Sequence, residues 1–576
     1  MRTNQYIRLR ILALGLMFTL GFAVIGGKAL LLQVYDGLWL SRKATGQVED
    51  SLRAVGKRGA IFDRRGHEMA VSIDVASIAV RPRQVKDAEA TARELARVLK
   101  KKPADVKERL AGGKPFVWIK RQATPREADA VRELRLPGVE FVADSNRFYP
   151  NRTLAAHALG FTGMDGKGLE GIEFFYDREL RGTETSVKVL KDARGNDFQT
   201  EHASDNDSAG KNIVLTLDHG IQFITETALN DAVASSRARS GMAVVMEPRT
   251  GAVLALALAP AFNPNAYEEA KKPLWRNRAV TDPFEPGSVM KIFVAAAALE
   301  FTNLSPQTTF NCENGAYRIG KYTVHDVHHY GVLTLRDIIK FSSNIGAAKI
   351  GEKVGPEKLY QSLRLFGFGQ KTGIDAPAET TGLLMPFTKW AGIDTAAISF
   401  GHGVSVSAVQ LIAAVSAIAN DGVLMKPRMV QAVTDPQGQI LQRFEPEEVR
   451  RVVSVETART VKEIMQTVVL PGGTGVQAAL EGYTACGKTG TARKVDDNGQ
   501  YSNERHVASF IGFAPAETPR VAVLVVIDEP RGQIYGGAVA APVFKKITQT
   551  TLNLMNVPPL NTTEKLRVSM DRGGRG

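Results

Sequence analysis

Phe284-Glu285-Pro286-Gly287-Ser288-Val289-Met290-Lys291 places a Pro-Gly pair immediately before an apolar run reaching Leu299, the mark of a helix start. Ser288 then stands at the helix N-terminus, where free backbone N–H groups and the helix dipole favour developing negative charge. Lys291 follows three residues later and shares the same face. A serine hydroxyl is a poor nucleophile at neutral pH and needs an adjacent base, a part that a lysine held neutral by burial can fill. The spacing alone is weak evidence. Ser208-Ala209-Gly210-Lys211 repeats it in a Gly/Asp-rich stretch ahead of a strand, where a solvated turn explains it.

Two elements further along raise Ser288 above that decoy. Ser342-Ser343-Asn344 precedes an apolar stretch, so its polar groups can face a site from a loop: Ser342 to relay a proton, the Asn344 amide to bind a substrate peptide group. Gly487-Lys488-Thr489-Gly490-Thr491 lies on a strand, with a second cation, hydroxyls able to hold a carboxylate, and a glycine that permits close approach. Lys371-Thr372-Gly373 copies this motif in a turn-rich setting and is set aside in favour of Lys488, which is flanked by strands.

The surroundings give the fold class. Met242–Glu247 and Ala252–Leu256 read as a hairpin, and Thr484–Lys494, Val507–Phe513 and Arg520–Ile527 as later strands. Apolar helices run over Val289–Leu299, Ser405–Asn420 and Ala541–Leu554. First and last strands around a helical middle predict an α+β domain over residues 215–556, an antiparallel sheet flanked by helices on both faces. Before it, residues 34–214 carry no convergent catalytic set and read as a spacer or docking module. Asp36–Val55 is expected to be helical. Arg58-Gly59-Ala60-Ile61-Phe62-Asp63-Arg64-Arg65-Gly66 predicts strand, turn, strand, and Asp87–Lys102 and Thr124–Leu134 predict helices. Arg147–Pro150 and Gly168–Glu173 lie in turn-rich stretches. Glu201–Lys211 reads as a linker or hairpin tip, and residues 557–576 as a disordered tail.

At the N-terminus, Arg2, Arg8 and Arg10 precede the seventeen uncharged residues Ile11–Gly27. With Lys28 snorkelling, residues 11–33 suit an uncleaved anchor over the rival cleaved signal peptide, for which no small-x-small site precedes a polar start; residues 1–10 then stay cytoplasmic and the rest lies outside, in a compartment without ATP. The 576 residues carry a net charge of +13, spread thinly and without a nucleic-acid-binding motif. The two cysteines, Cys312 and Cys486, exclude a disulfide scaffold and read as small buried residues rather than a bridge.

In the order Ser-x-x-Lys, Ser-x-Asn, Lys-Thr-Gly the chain resembles the penicillin-recognising serine acyltransferases. The stretches Arg58–Gly66, Arg147–Pro150, Gly168–Glu173, Gly401–Gln410, Gly473–Gly475 and Asp528–Phe544 extend the likeness to class B penicillin-binding proteins, and most of all to their septal division transpeptidases. The resemblance implies a membrane-anchored chain with an elongated pedestal or dimerisation-type domain before the penicillin-binding domain. It implies that Ser288 attacks the penultimate D-Ala of a stem pentapeptide, with Lys291 as base and Ser342 and Lys488 handling proton relay and charge. Backbone N–H groups of Ser288 and Thr491 would form the oxyanion hole, Asn344, Thr489, Gly490 and Thr491 would bind substrate, and β-lactams would acylate the same serine. Expected partners are peptidoglycan stem peptides ending in D-Ala-D-Ala, a lipid-linked glycan polymerase of the SEDS type, other division-complex membrane proteins and the inner membrane. Neither cofactor nor metal is expected.

Rival readings are weighed on residues. His325, Asp326, His328 and His329 cluster, but lack a fourth ligand at a familiar metal-site spacing. A β-lactamase needs a deacylating base, often in Glu-x-x-x-Asn; Glu379 is in the right interval, but Leu383 stands where Asn belongs. A sensor would need more than ten cytoplasmic residues, and the intact Ser288, Lys291, Ser342, Asn344 and Lys488 set argues against a non-enzymatic scaffold.

Overall fold

The structure is a computed structural model that describes residues 2–35, 49–191, 197–199, 209–496 and 498–560. The chain divides into two compact units, residues 1–57 with 182–210 and residues 58–181 with 211–576. In the first, the N-terminal helix carries an apolar stretch of 26 residues, Leu9–Val34. At 1.5 Å per residue that is about 39 Å, enough to cross a hydrocarbon core of about 30 Å. Glu49–Val55, Glu184–Lys191 and Asp197–Gln199 form an antiparallel three-stranded sheet. Glu49–Val55 therefore departs from the helix expected over Asp36–Val55, because its partner comes from a distant part of the chain that local periodicity cannot report. Residues 36–48 and 201–208, the latter including the decoy Ser208, lie outside the described residues.

The second unit is built on two sheets. Its strands are β1 (Ile61–Phe62), β2 (Glu68–Val80), β3 (Val117–Ala123), β4 (Val139–Phe148), β5 (Asn212–Leu215), β6 (Ser240–Met246) and β7 (Val253–Ala259). Later come β8 (Val430–Thr434), β9 (Ile440–Arg443), β10 (Cys486–Val495), β11 (Tyr501–Ala514) and β12 (Val521–Asp528). Helices used below are α1 (Ala88–Leu99), α2 (Pro125–Glu133), α3 (His219–Ser235), α4 (Lys291–Phe301), α5 (Leu335–Phe341), α6 (Asn344–Val354), α7 (Ala408–Ala419), α8 (Val455–Val469) and α9 (Ala541–Leu554).

Five strands in the order β7-β6-β12-β11-β10 make the antiparallel sheet that the sequence predicts. Its inner strands are apolar on both faces, as burial under two helical layers requires. Ala243, Val245, Val523 and Val525 pack with Phe544 and Ile547 of α9, while Val244, Met246, Leu524 and Val526 pack with Ile292 and Phe293 of α4. Ser407 and Gln410 form a reciprocal capping box that starts α7, every residue of which is buried. β10 is the edge strand, so one side of it is free to meet a ligand.

The other sheet runs β9-β8-β5-β1-β2-β3, with β4 also on β2. The predicted strand-turn-strand at Arg58–Gly66 is β1 and β2, and the two predicted helices are α1, capped by Asp87, and α2, capped by Thr124. What local pattern does not report is that β5 lies parallel to β1 and antiparallel to β8, so strands from both sequence regions share one sheet. Behind it, three of the family-like stretches converge. Arg58 Nε and Arg147 Nε donate to the two oxygens of fully buried Glu173, each at 2.6 Å, and Arg58 also reaches Asp177 at 2.6 Å. Arg147 donates to Gly59 O at 2.7 Å. A buried cluster of this kind specifies one arrangement more than it adds net stability.

The stretch assigned to the tail begins with ordered chain. Tyr483 donates to Val557 O at 2.7 Å and Leu560 N to Gly482 O at 2.7 Å, so residues 557–560 pack against the second unit, and residues 561–576 lie outside the described residues.

Candidate active site

Gly287–Met290 forms a tight helical turn that leads into α4. Ser288 is half-buried in that first turn, where N–H groups have no intrahelical partner. Lys291 is fully buried beneath it. Its Nζ lies 3.0 Å from Ser288 Oγ, 2.6 Å from Ser342 O, 2.7 Å from Asn344 Oδ1 and 3.2 Å from Ser342 Oγ. Two of those neighbours, a carbonyl and an amide oxygen, can only accept. A neutral amine has two N–H bonds and one lone pair, so with both hydrogens given to Ser342 O and Asn344 Oδ1 the lone pair is left for a serine hydroxyl. Burial, the larger influence, brings the Lys291 amine down to about 7, opposed by the charge of Asp326.

Ser342 ends α5 in the left-handed region, at φ 64°. That costly conformation turns its side chain between two lysines. Lys488, also fully buried, donates to Ser342 Oγ at 2.9 Å and to Thr489 O at 3.0 Å. Burial first, and the Lys291 charge second, push the Lys488 amine well below its ordinary value. Ser288, Lys291, Ser342 and Lys488 thus form one continuous chain of contacts, although the chain positions span two hundred residues.

The remaining residues named from sequence fall around this chain. Asn344 Oδ1 accepts from Lys291 and one Nδ2 hydrogen goes to His325 O at 3.0 Å, so the amide helps hold the lysine and keeps its second N–H for a ligand. Thr489 Oγ1 pairs with Thr474 Oγ1 at 3.0 Å, and Thr491 Oγ1 accepts from Gly536 N at 3.2 Å. At Gly490 a Cβ would lie 2.2 Å from Ser509 Oγ and 3.0 Å from Pro286 O, so the missing side chain lets β10 close against the nucleophile turn.

Asp326 was not singled out for this role. It lies beyond the hairpin strand Tyr322–His325 and accepts from Ser343 Oγ at 2.6 Å, from Asn344 N, and from Ile345 N at 3.1 Å. It therefore caps α6 and fixes the Ser342–Asn344 turn. Its carboxylate, weighed from sequence as part of a His-rich metal candidate, is occupied by this capping; the described residues contain no group of three or more metal-binding side chains. The signal in sequence was an acid beside a motif, with no indication of its partner.

The decoy motif is accounted for. Exposed Lys371 stands in a turn whose Thr372 N and Oγ1 donate to Glu379, each at 2.6 Å, and Gly373 N at 3.1 Å. Glu379, the acid considered for hydrolysis, thus holds that turn. Cys312 and Cys486 are both buried free thiols.

Residues 241–549 match the family described as penicillin binding protein transpeptidase domain, and residues 53–215 the penicillin-binding protein dimerisation domain. The chain is 37% identical over 565 residues to the probable peptidoglycan D,D-transpeptidase PenA of Neisseria meningitidis, covering 97% of this chain and 94% of that one. It is 36% identical over 527 residues to the peptidoglycan D,D-transpeptidase FtsI of Escherichia coli, covering 90% and 87%. Among solved structures it is similar to penicillin binding protein 3 of Mycobacterium tuberculosis complexed with aztreonam, with a TM-score of 0.69 and 30% identity over 88% of this chain and 98% of the other.

Proposed function

Because the chain belongs to the penicillin-binding proteins that join a dimerisation domain to a transpeptidase domain, we propose that it is a membrane-anchored peptidoglycan D,D-transpeptidase and a target of β-lactams. The observation that carries the reading is the Lys291 amine, held by two acceptors with its third position 3.0 Å from Ser288 Oγ. Ser288 attacks the carbonyl of the penultimate D-Ala, and its proton passes to Lys291. Backbone N–H groups of Ser288 and Thr491 receive the oxyanion. The proton returns through Ser342, with Lys488 behind it, to the departing amine of the terminal D-Ala. An acceptor amine then attacks the acyl-enzyme, loses its proton along the same route, and frees Ser288 as the new amide forms. Thr489 and Thr491 take the terminal carboxylate.

The placement is periplasmic, supported by Arg2, Arg8 and Arg10 ahead of the apolar helix. Septal use, with a SEDS-type glycan polymerase and division proteins as partners of residues 34–214, rests on the resemblance to septal members. Fluorescent penicillin tests the central claim: the detergent-solubilised chain should form a stable adduct that Ser288→Ala abolishes. An unlabelled parent protein, or an adduct that survives in the variant, would sink it, and a rapidly decaying adduct would point to a hydrolase.

A further inference from the structure

The two sheets of the second unit meet at Arg428. Its N–H donates to Gly251 O at 3.0 Å in the turn between β6 and β7, and its carbonyl accepts from Val253 N at 2.9 Å. Arg428 lines a cavity of about 170 Å³, to which the β1–β2 turn adds Arg64, the β6–β7 turn Glu247, and the β8–β9 hairpin Gln431, Arg443 and Glu445. That is space for about five waters at about 30 Å³ each, enough for one small oxyanion. The Arg428 guanidinium commits Nη1 to Phe444 O at 2.6 Å, while its buried Nε finds no acceptor in the protein. Nε and Nη2 form the side of a guanidinium that grips an oxyanion through two parallel N–H bonds. Burial, the first influence, pulls this guanidinium below its ordinary value, and it forms no ion pair among the described residues. Exposed Arg64 likewise has no side-chain ion pair among them, and the carboxylate nearest to Arg443 Nε, Glu445, lies 4.0 Å away. The Gln431 amide makes no side-chain hydrogen bond among the described residues.

The two glutamates decide which oxyanion fits. Three guanidiniums against two carboxylates leave one positive charge in excess, so the cavity favours an anion. Glu247 uses one oxygen on Thr250 Oγ1 at 2.5 Å, and Glu445 is exposed, so both keep acceptor capacity. Sulfate offers these carboxylates nothing but acceptors and is repelled. Hydrogen phosphate carries a P–OH that donates to a carboxylate while its other oxygens accept from arginine. We infer that this cavity is a binding site for a phosphate that keeps a proton, either the free ion or the end of a phosphomonoester. Arg428 grips it side-on, Arg64, Arg443 and Gln431 complete the donors, and a glutamate takes the P–OH. The seated anion ties the β1–β2 turn to the β8–β9 hairpin across the junction of the two sheets. The site shares no residue with the one around Ser288 and does not depend on its chemistry.

Equilibrium dialysis of the full chain in detergent against radiolabelled inorganic phosphate at pH 7 tests this. One phosphate should be retained per chain, and unlabelled phosphate should displace it at about ten-fold lower concentration than sulfate, the worth of one charge-assisted contact. Arg428→Lys keeps the charge but loses the two parallel N–H bonds, and should weaken retention about ten-fold. Arg64→Gln combined with Arg443→Gln removes exposed side chains only and should weaken it at least as much, with circular dichroism like that of the parent. Glu247→Gln combined with Glu445→Gln should narrow the gap between phosphate and sulfate. No retained phosphate, sulfate as effective as phosphate, or retention unchanged in the Arg64/Arg443 double variant overturns the inference. Glycerol 3-phosphate as competitor separates the two sources, and either result keeps the site: displacement extends it to a phosphate carried on a larger molecule, and no displacement restricts it to the free ion.

Discussion

At the scale of single residues, the site turns on an amine whose protonation is set by its surroundings. Lys291 must be neutral to accept the Ser288 proton, and burial brings it to about 7. Acylation by penicillin should therefore rise with pH through about 7 and then level, the rate at pH 6 being about ten-fold below the plateau. Asp326 raises the Lys291 value, so Asp326→Asn should move the acid limb to lower pH while slowing the plateau through loss of the α6 cap. Rates measured from pH 5 to 9 decide it: a flat profile, or a limb that Asp326→Asn leaves in place, contradicts the assignment of the base. Ser288 and Lys291 were legible in sequence because helix-start chemistry and three-residue spacing are local. Asp326 was not, since its partners lie across a loop whose closure no local rule reports.

Among elements, the decisive fit is β10 against the nucleophile turn. Gly490 leaves no side chain between β10 and Pro286 O, and Gly287 sits equally close to Thr491 O, where a Cβ would stand at 3.0 Å. Gly490→Ala should push the strand outward and reduce acylation about ten-fold or more, since displacements well under 1 Å matter at a reacting centre. Far-ultraviolet circular dichroism should stay unchanged, and full labelling speed in this variant would show that the fit is not needed. The catalytic sheet was readable because β6, β7, β10, β11 and β12 are apolar runs bounded by turns. The strand at Glu49–Val55 was misread as helix because short polar segments carry no period, and their pairing partners lie far away in sequence.

For the molecule as a whole, Arg58, Arg147 and Glu173 join three distant stretches at one buried point. Glu173→Ala leaves buried Arg147 without a carboxylate and Arg58 with Asp177 alone, an expected loss of about 3–5 kcal/mol. Thermal unfolding should show a markedly lower midpoint, and a midpoint equal to that of the parent would contradict the role given to the cluster. The spacing of the motifs predicted a catalytic region and a region ahead of it, yet not the sheet they share, because register between β1, β5 and β8 depends on strands that no local pattern connects. That sheet bears on biosynthesis. A ribosome makes β5 long before β8, so the emerging chain carries an uncovered strand edge until residue 434 has been delivered, a template for pairing with other chains. Chains halted after residue 215 should accumulate as insoluble material, and only those that extend past β12 and α9, where β12 covers the edge of β6 as β8 covers that of β5, should stay extractable in mild detergent. Newly made protein would then depend on shielding during that interval, and the extractable fraction of a series of truncations measures how long the interval lasts.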